Sequence, residues 1–110
     1  MAAHLEDRQA VVLTAESAAQ AFDLLQREHV DVLLADIAMP GEDGYSLVKK
    51  LRALNAPRTA SIPAAALTAF ARDVDRQHAI QAGFQLHLAK PIDPRLLIAA
   101  VANLRKLNVR

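Results

Sequence analysis

An α/β fold with a single parallel sheet is what this sequence predicts, on three observations. Four short apolar runs alternate with four segments of helical spacing, in the order β-α-β-α-β-α-β-α. Strict alternation in units of this length implies right-handed crossovers, with helices on both faces of the sheet. The run at residues 30–35 is apolar at nearly every position, as a strand covered on both faces is. It ends on Asp36 and breaks at once into Met39, Pro40 and Gly41, with Gly44 close behind. The third observation is therefore a carboxylate at the carboxyl edge of the sheet, where open α/β sheets bind their ligands.

The elements follow in order. Residues 1–9 are polar and aperiodic and read as an N-terminal tail. Residues 10–15 are a β-branched, apolar strand. Ser17 and Gln20 have the spacing of a capping box, opening a helix to about Arg27 that buries Ala21, Leu24 and Leu25. The strand at 30–35 comes next. Asp43 can cap a helix over 44–54 with Leu47, Val48, Leu51 and Leu54 as its buried stripe. Residues 55–61 read as a loop. Residues 62–67 are a strand of low propensity, since Ala forms strands poorly, but the alternation needs one there. A helix over 71–82 stops at Gly83, the residue type expected just past a helix end. Residues 84–89 form the fourth strand. Asp93 and Pro94 then start a last helix, with Leu97, Ala100, Val101 and Leu104 at helical spacing and Arg105 and Lys106 at its negative end.

The totals exclude several classes. A chain of 110 residues suggests one domain, residues 1–110, and an apolar share of 53% supports a real core. With 13 Lys and Arg against 12 Asp and Glu there is no basic stripe, so nucleic-acid binding is not expected. The absence of Cys excludes disulfides and thiolate metal sites. No apolar run approaches the ~18–20 residues a membrane helix needs, and the N-terminus lacks a signal-peptide centre. A cytoplasmic location without membrane contact is the resulting expectation.

Three residues end three different strands: Asp36, Thr68 and Lys90. The architecture brings them to one edge. A carboxylate can attack phosphorus to give an acyl phosphate. An ammonium pairs with phosphoryl oxygens as a point charge, and a hydroxyl can donate a hydrogen bond to one of them. Each residue alone is an ordinary strand end or cap. Together, with Pro91 after Lys90, they suit a covalently held phosphoryl group.

Here the sequence resembles the receiver domain of two-component response regulators, and especially receivers fused to hybrid sensor kinases. The matching motifs are the stretch from Asp36 to Gly44, Ala66-Leu67-Thr68-Ala69, Ala82-Gly83-Phe84 and Ala89-Lys90-Pro91-Ile92. The resemblance covers residues 10–105 and implies a flavodoxin-like fold. It implies Asp36 as phosphoacceptor, Thr68 as switch hydroxyl and Lys90 as the phosphate contact. It makes Pro91 a candidate cis proline, and it puts His87 where receivers often place a switch aromatic. It implies a histidine kinase as phosphodonor, Mg²⁺ as cofactor, and a signalling module rather than an enzyme, with at most slow self-phosphorylation and dephosphorylation.

The pattern also departs from the family. A receiver begins with a strand ending in two acids, then a helix. Nine residues before Ala10 are too few for both, so the first β-α unit is expected to be missing. The metal ligands would then reduce to Asp36 and the Ala38 backbone carbonyl, which predicts weak or absent Mg²⁺ binding. Glu6 and Asp7 are adjacent acids, but they read as part of the tail. Loss of a central strand leaves the strand at 10–15 either paired directly with the Asp36 strand or facing a gap. Exposed edges then suggest a homodimer. The leading function is phosphoryl acceptance on Asp36 with output through protein contacts. The alternative is a degenerate receiver serving as an interaction or dimerisation module without phosphoryl chemistry.

Overall fold

The computed structural model describes residues 3–7, 10–15, 17–39, 41–69 and 72–107. One sheet contains β1 (Ala3–Asp7), β2 (Ala10–Ala15), β3 (Val32–Asp36), β4 (Ala64–Thr68) and β5 (Leu86–Ala89). The helices are α1 (Ala18–Arg27), α2 (Gly44–Arg52), the single turn α3 (Pro57–Ala60), α4 (Asp73–Ala82) and α5 (Pro94–Leu107). The strands lie in the sheet in sequence order, and β2 through β5 are parallel. This is the α/β architecture that the alternation predicts.

The tail expected at residues 1–9 is corrected over its described part. Ala3–Asp7 forms β1, antiparallel to β2, with Ala3 opposite Thr14 and Asp7 opposite Ala10. The reason is backbone satisfaction: the free edge of β2 offers a row of donors and acceptors, and β1 fills it. The segment has no hydrophobic period, so only the pairing makes it a strand.

No gap separates the strand at 10–15 from the Asp36 strand. β2 pairs directly with β3, in a register that sets Ala15 beside Ala35. Each later strand is added on the same side of the one before, so right-handed crossovers put α1, α2 and α4 on one face. The core there includes Leu13, Leu25, Leu33, Leu47, Leu51 and Ala79. α5 follows the last strand and covers the other face, where Val101 and Leu104 pack on Val12, Val32, Leu34 and Ala65. β3 thus feeds Leu33 and Ala35 into one core and Val32 and Leu34 into the other. That double burial is why its sequence alternates so little.

β4 forms despite its alanines because β3 and β5 flank it and satisfy its backbone on both sides. Ala64, Ala65 and Ala66 are fully buried. At the helix ends, the Asp43 carboxylate accepts from the Ser46 N–H at 2.9 Å, as a cap should. Asp93 accepts from the Arg95 N–H at 2.8 Å. Gly83 ends α4 at φ +127°, where a side chain would be strained. Two expectations are corrected. Ser17 occupies the N-cap of α1, but its side chain makes no cap bond, so the capping box does not form. The loop at 55–61 contains α3, which Pro57 starts by presetting the helical φ. The helix expected from residue 71 begins at Asp73, and residues 70–71 lie outside the described residues.

Arg52 makes a link that the sequence does not announce. From the last turn of α2 its guanidinium donates to the Gly83 carbonyl at 2.8 and 3.1 Å and to the Ala60 and Ile62 carbonyls at 2.9 and 2.6 Å. It also donates to Gln85 Oε1 at 3.1 Å. Burial lowers its pKa from the ordinary arginine value. The carbonyl at the end of α4 is a suitable partner, because it carries the helix's partial negative charge.

Candidate functional site

Asp36 is the last residue of β3 and Thr68 the last of β4, while Lys90 directly follows β5. Parallel pairing brings these ends to one edge of the sheet. Lys90 Nζ donates to Asp36 Oδ2 in a direct ion pair. Asp36 Oδ1 accepts from the Ala38 N–H at 3.1 Å, which turns the chain tightly after the carboxylate. The Asp36 and Lys90 side chains are 29% and 41% exposed, so a donor can reach them from solvent.

Thr68 is buried, 5% exposed. Backbone joins it to the pair: the Lys90 N–H donates to the Thr68 carbonyl at 2.7 Å. The Lys90–Pro91 peptide bond is cis. His87 sits in β5 beside Ala66 of β4, and its Nε2 is buried without a hydrogen-bond partner. Pro40 lies outside the described residues.

A glycine completes the Asp36 turn. The Gly44 N–H donates to the Ile37 carbonyl at 2.9 Å, which docks the start of α2 against the end of β3. A Cβ on Gly44 would lie 2.8 Å from the Asp36 carbonyl oxygen and 3.1 Å from Ile37 Cα. Both are backbone atoms, so space alone demands glycine there. In the sequence Gly44 marks a loop; its role as a spacer against Asp36 needs the structure.

Beyond the turn, Glu42 pairs with Lys50 at 3.0 Å and Asp43 caps α2, so both have structural work. The Tyr45 ring stacks on His78 of α4, with centroids 3.8 Å apart and planes 11° from parallel. Burial, then the nearby Asp75 and Asp43 carboxylates, push the Tyr45 hydroxyl pKa above 10.0. Asp75 accepts from Arg72 at 2.9 and 3.4 Å.

The acids at Glu6 and Asp7 are at the wrong end of the sheet. β1 runs antiparallel to β2, and Asp7 is opposite Ala10, the first residue of β2. The Asp36 edge is at the other end, beside Ala15. No group of three or more His, Cys, Asp or Glu among the described residues could hold a metal ion. No helix among them is long and apolar enough to cross a membrane.

A family model described as the response regulator receiver domain matches residues 1–102. An uncharacterised 14.6 kDa protein from the sodA1 3' region of Leptolyngbya boryana is 46% identical over 97 residues, spanning 88% of this chain and 72% of that protein. Sensor protein GacS of Pseudomonas syringae pv. syringae is 36% identical over 107 residues. The match spans 96% of this chain but only 12% of GacS. Among solved structures, the receiver domain of sensor histidine kinase PA1611 from Pseudomonas aeruginosa PAO1 superposes with a TM-score of 0.73 at 32% identity, covering 84% of this chain and 74% of that one. That protein carries a magnesium ion coordinated in its active-site cleft. The Francisella response regulator 1452 receiver domain also gives a TM-score of 0.73, at 29% identity and 84% and 73% coverage.

Proposed function

This chain belongs to the response regulator receiver domain family, and from that premise we propose that it accepts a phosphoryl group on Asp36 from a histidine kinase. The observation that carries the reading is the Asp36–Lys90 ion pair at an open sheet edge. A carboxylate oxygen of Asp36 attacks phosphorus. The new O–P bond forms as the donor's P–N bond breaks, and the donor imidazole leaves with the electron pair. Lys90 is already beside the carboxylate, so its charge offsets the approach of a second anion at no cost in reorganisation. Thr68 is held to Lys90 through backbone, so a hydroxyl bond to the phosphoryl group would be felt along β4 and β5. Output then passes through protein contacts, and the exposed Leu96 and Leu107, on one side of α5, offer an apolar surface to a second copy of the chain.

The test is transfer of labelled phosphoryl from acetyl phosphate or a phosphorylated histidine kinase. The expected product is an acyl phosphate released by hydroxylamine. Asp36→Ala reduces labelling to background, and Lys90→Ala slows it by at least about tenfold, the worth of ~1.4 kcal/mol of barrier. Equal labelling of wild type and Asp36→Ala would overturn the proposal.

The family's Mg²⁺ does not fit the described residues. Mg²⁺ takes a near-octahedral shell of oxygens. Among the described residues the edge offers the Asp36 carboxylate, with Oδ2 on Lys90 and Oδ1 on the Ala38 N–H, plus the Ala38 carbonyl. Calorimetric titration is expected to give no Asp36-dependent heat at micromolar Mg²⁺; a clear micromolar isotherm lost in Asp36→Ala would contradict this.

A further inference from the structure

A pocket of about 190 Å³ opens near the amino ends of β3 and β4, at the pole of the sheet opposite Asp36. Its floor is apolar and made of the buried Leu25, Val30 and Ile62. Its rim is polar. Glu28 and His29, from the connection between α1 and β3, stand on one side, and Arg58 and Thr59 of α3 on the other. The volume is that of about six waters at ~30 Å³ each, so a ligand there is small.

The two sides differ in chemistry. His29 Nε2 lies 2.9 Å from Asp31 Oδ1, and Asp31 Oδ2 accepts from the Val11 N–H at 2.8 Å. The carboxylate is thus anchored to β2 and in turn fixes the imidazole. A carboxylate only accepts, so Nε2 carries the ring hydrogen and Nδ1 of the neutral ring keeps a lone pair. Glu28 adds negative charge beside it, and so do the last carbonyls of α1, which ends at Arg27. The Arg27 guanidinium is already on Asp23 at 2.8 Å. This side therefore attracts a cation that can donate. The other side attracts an anion. Arg58 is exposed and Thr59 half-buried, and among the described residues neither the guanidinium nor the hydroxyl has a hydrogen-bond partner.

We propose that this pocket binds a free aliphatic α-amino acid, with its carboxylate on Arg58 and Thr59 and its ammonium on His29 beside Glu28. Each part of the ligand meets a complement. The guanidinium fork donates to the carboxylate, and the Thr59 hydroxyl donates to it as well. The ammonium donates to His29 Nδ1 and is drawn by the charge of Glu28. A short branched side chain covers Leu25, Val30 and Ile62. A phosphate or a simple carboxylate fits less well, because it meets Glu28 and finds no donor at the neutral imidazole. The bound ligand would tie the α1–β3 connection to α3. The site uses none of the residues assigned to phosphoryl transfer, so either reading can fail alone.

The test is two-dimensional NMR of the full chain titrated with L-valine in mildly alkaline buffer, which keeps imidazoles neutral. The expected result is a saturable shift of the His29, Val30 and Thr59 amides, with a Kd on the order of millimolar. Isobutylamine lacks the carboxylate and 2-hydroxyisovalerate lacks the ammonium, and each should bind at least about tenfold more weakly. Arg58→Gln and His29→Phe alter exposed side chains, so the fold is retained, and each should weaken valine by about fivefold or more. Asp36→Ala should bind valine like the wild type. The proposal is overturned if no saturable shift appears by about 50 mM valine, if the amine or the hydroxy acid binds as well as valine, or if Arg58→Gln leaves the affinity unchanged.

Discussion

Arg52→Ala is expected to lower the unfolding free energy by about 3 kcal/mol, from the net worth of several charge-assisted hydrogen bonds and the carbonyls left behind. The guanidinium holds two segments to the end of α2: the Ala60 and Ile62 carbonyls at and just past the end of α3, and the Gly83 carbonyl just past α4. Truncation strands these acceptors at once. It also empties the space over Gly83, whose Cβ position would meet Arg52 Cγ at 2.9 Å. A loss of this size is a large part of the ~5–15 kcal/mol that stabilises an ordinary domain. Arg52→Lys separates charge from geometry. A single ammonium cannot reproduce the planar fork, so Lys should recover less than half of the loss. Urea denaturation read by far-UV circular dichroism measures both, and a Lys variant as stable as wild type would show that charge alone suffices.

Gly44→Ala is expected to disturb the site without removing any of its polar side chains. The added methyl would lie 2.8 Å from the Asp36 carbonyl oxygen, and backbone must give way. Overpacking of this kind costs roughly 1–3 kcal/mol. The displacement falls on the residue that carries the phosphoacceptor carboxylate, and small misplacements of reacting groups slow chemistry steeply. Labelling of Asp36 should therefore slow by about tenfold or more while helix content is retained. Gly41→Ala is the matched control. Gly41 has φ +80° and nothing within 4 Å of a Cβ, so it suffers conformational strain without a clash at Asp36. It should lose about 1 kcal/mol of stability and keep its labelling rate. Equal slowing in both variants would mean that loop strain, not contact with Asp36, sets the rate.

The legible part of this molecule is what short-range pattern encodes. The period of Leu47, Val48 and Leu51 places α2 on the sheet, and all three are fully buried. Asp36, Thr68 and Lys90 can be grouped from sequence because parallel strands send every strand end to the same edge, whatever their separation along the chain. What escapes is pairing without periodicity. Residues 3–7 alternate in no way that distinguishes them from a tail, and their strand exists because β2 has an edge to satisfy. Arg52 reads as an ordinary cation at a helix end, since its partners come from positions 60, 62, 83 and 85 and no local spacing relates them. His87 is visible as a strand residue, but the lack of a partner for Nε2 depends on how α4 settles over β5. The inert Ser17 side chain is the opposite case, a strong local signal that the backbone does not use.

The strands are stacked across the sheet in the order in which they occur along the chain. A consequence is that assembly can be incremental. Each new strand docks on the one made just before it, and none must be held open for a later segment to slide between two partners already in place. Closing one β-α-β unit at a time keeps the loops short and the entropy of closure small, which favours rapid folding. On a ribosome the sheet could then grow at its β5 side as the chain emerges, with α5, the last helix described, sealing the second face when the sheet is already complete.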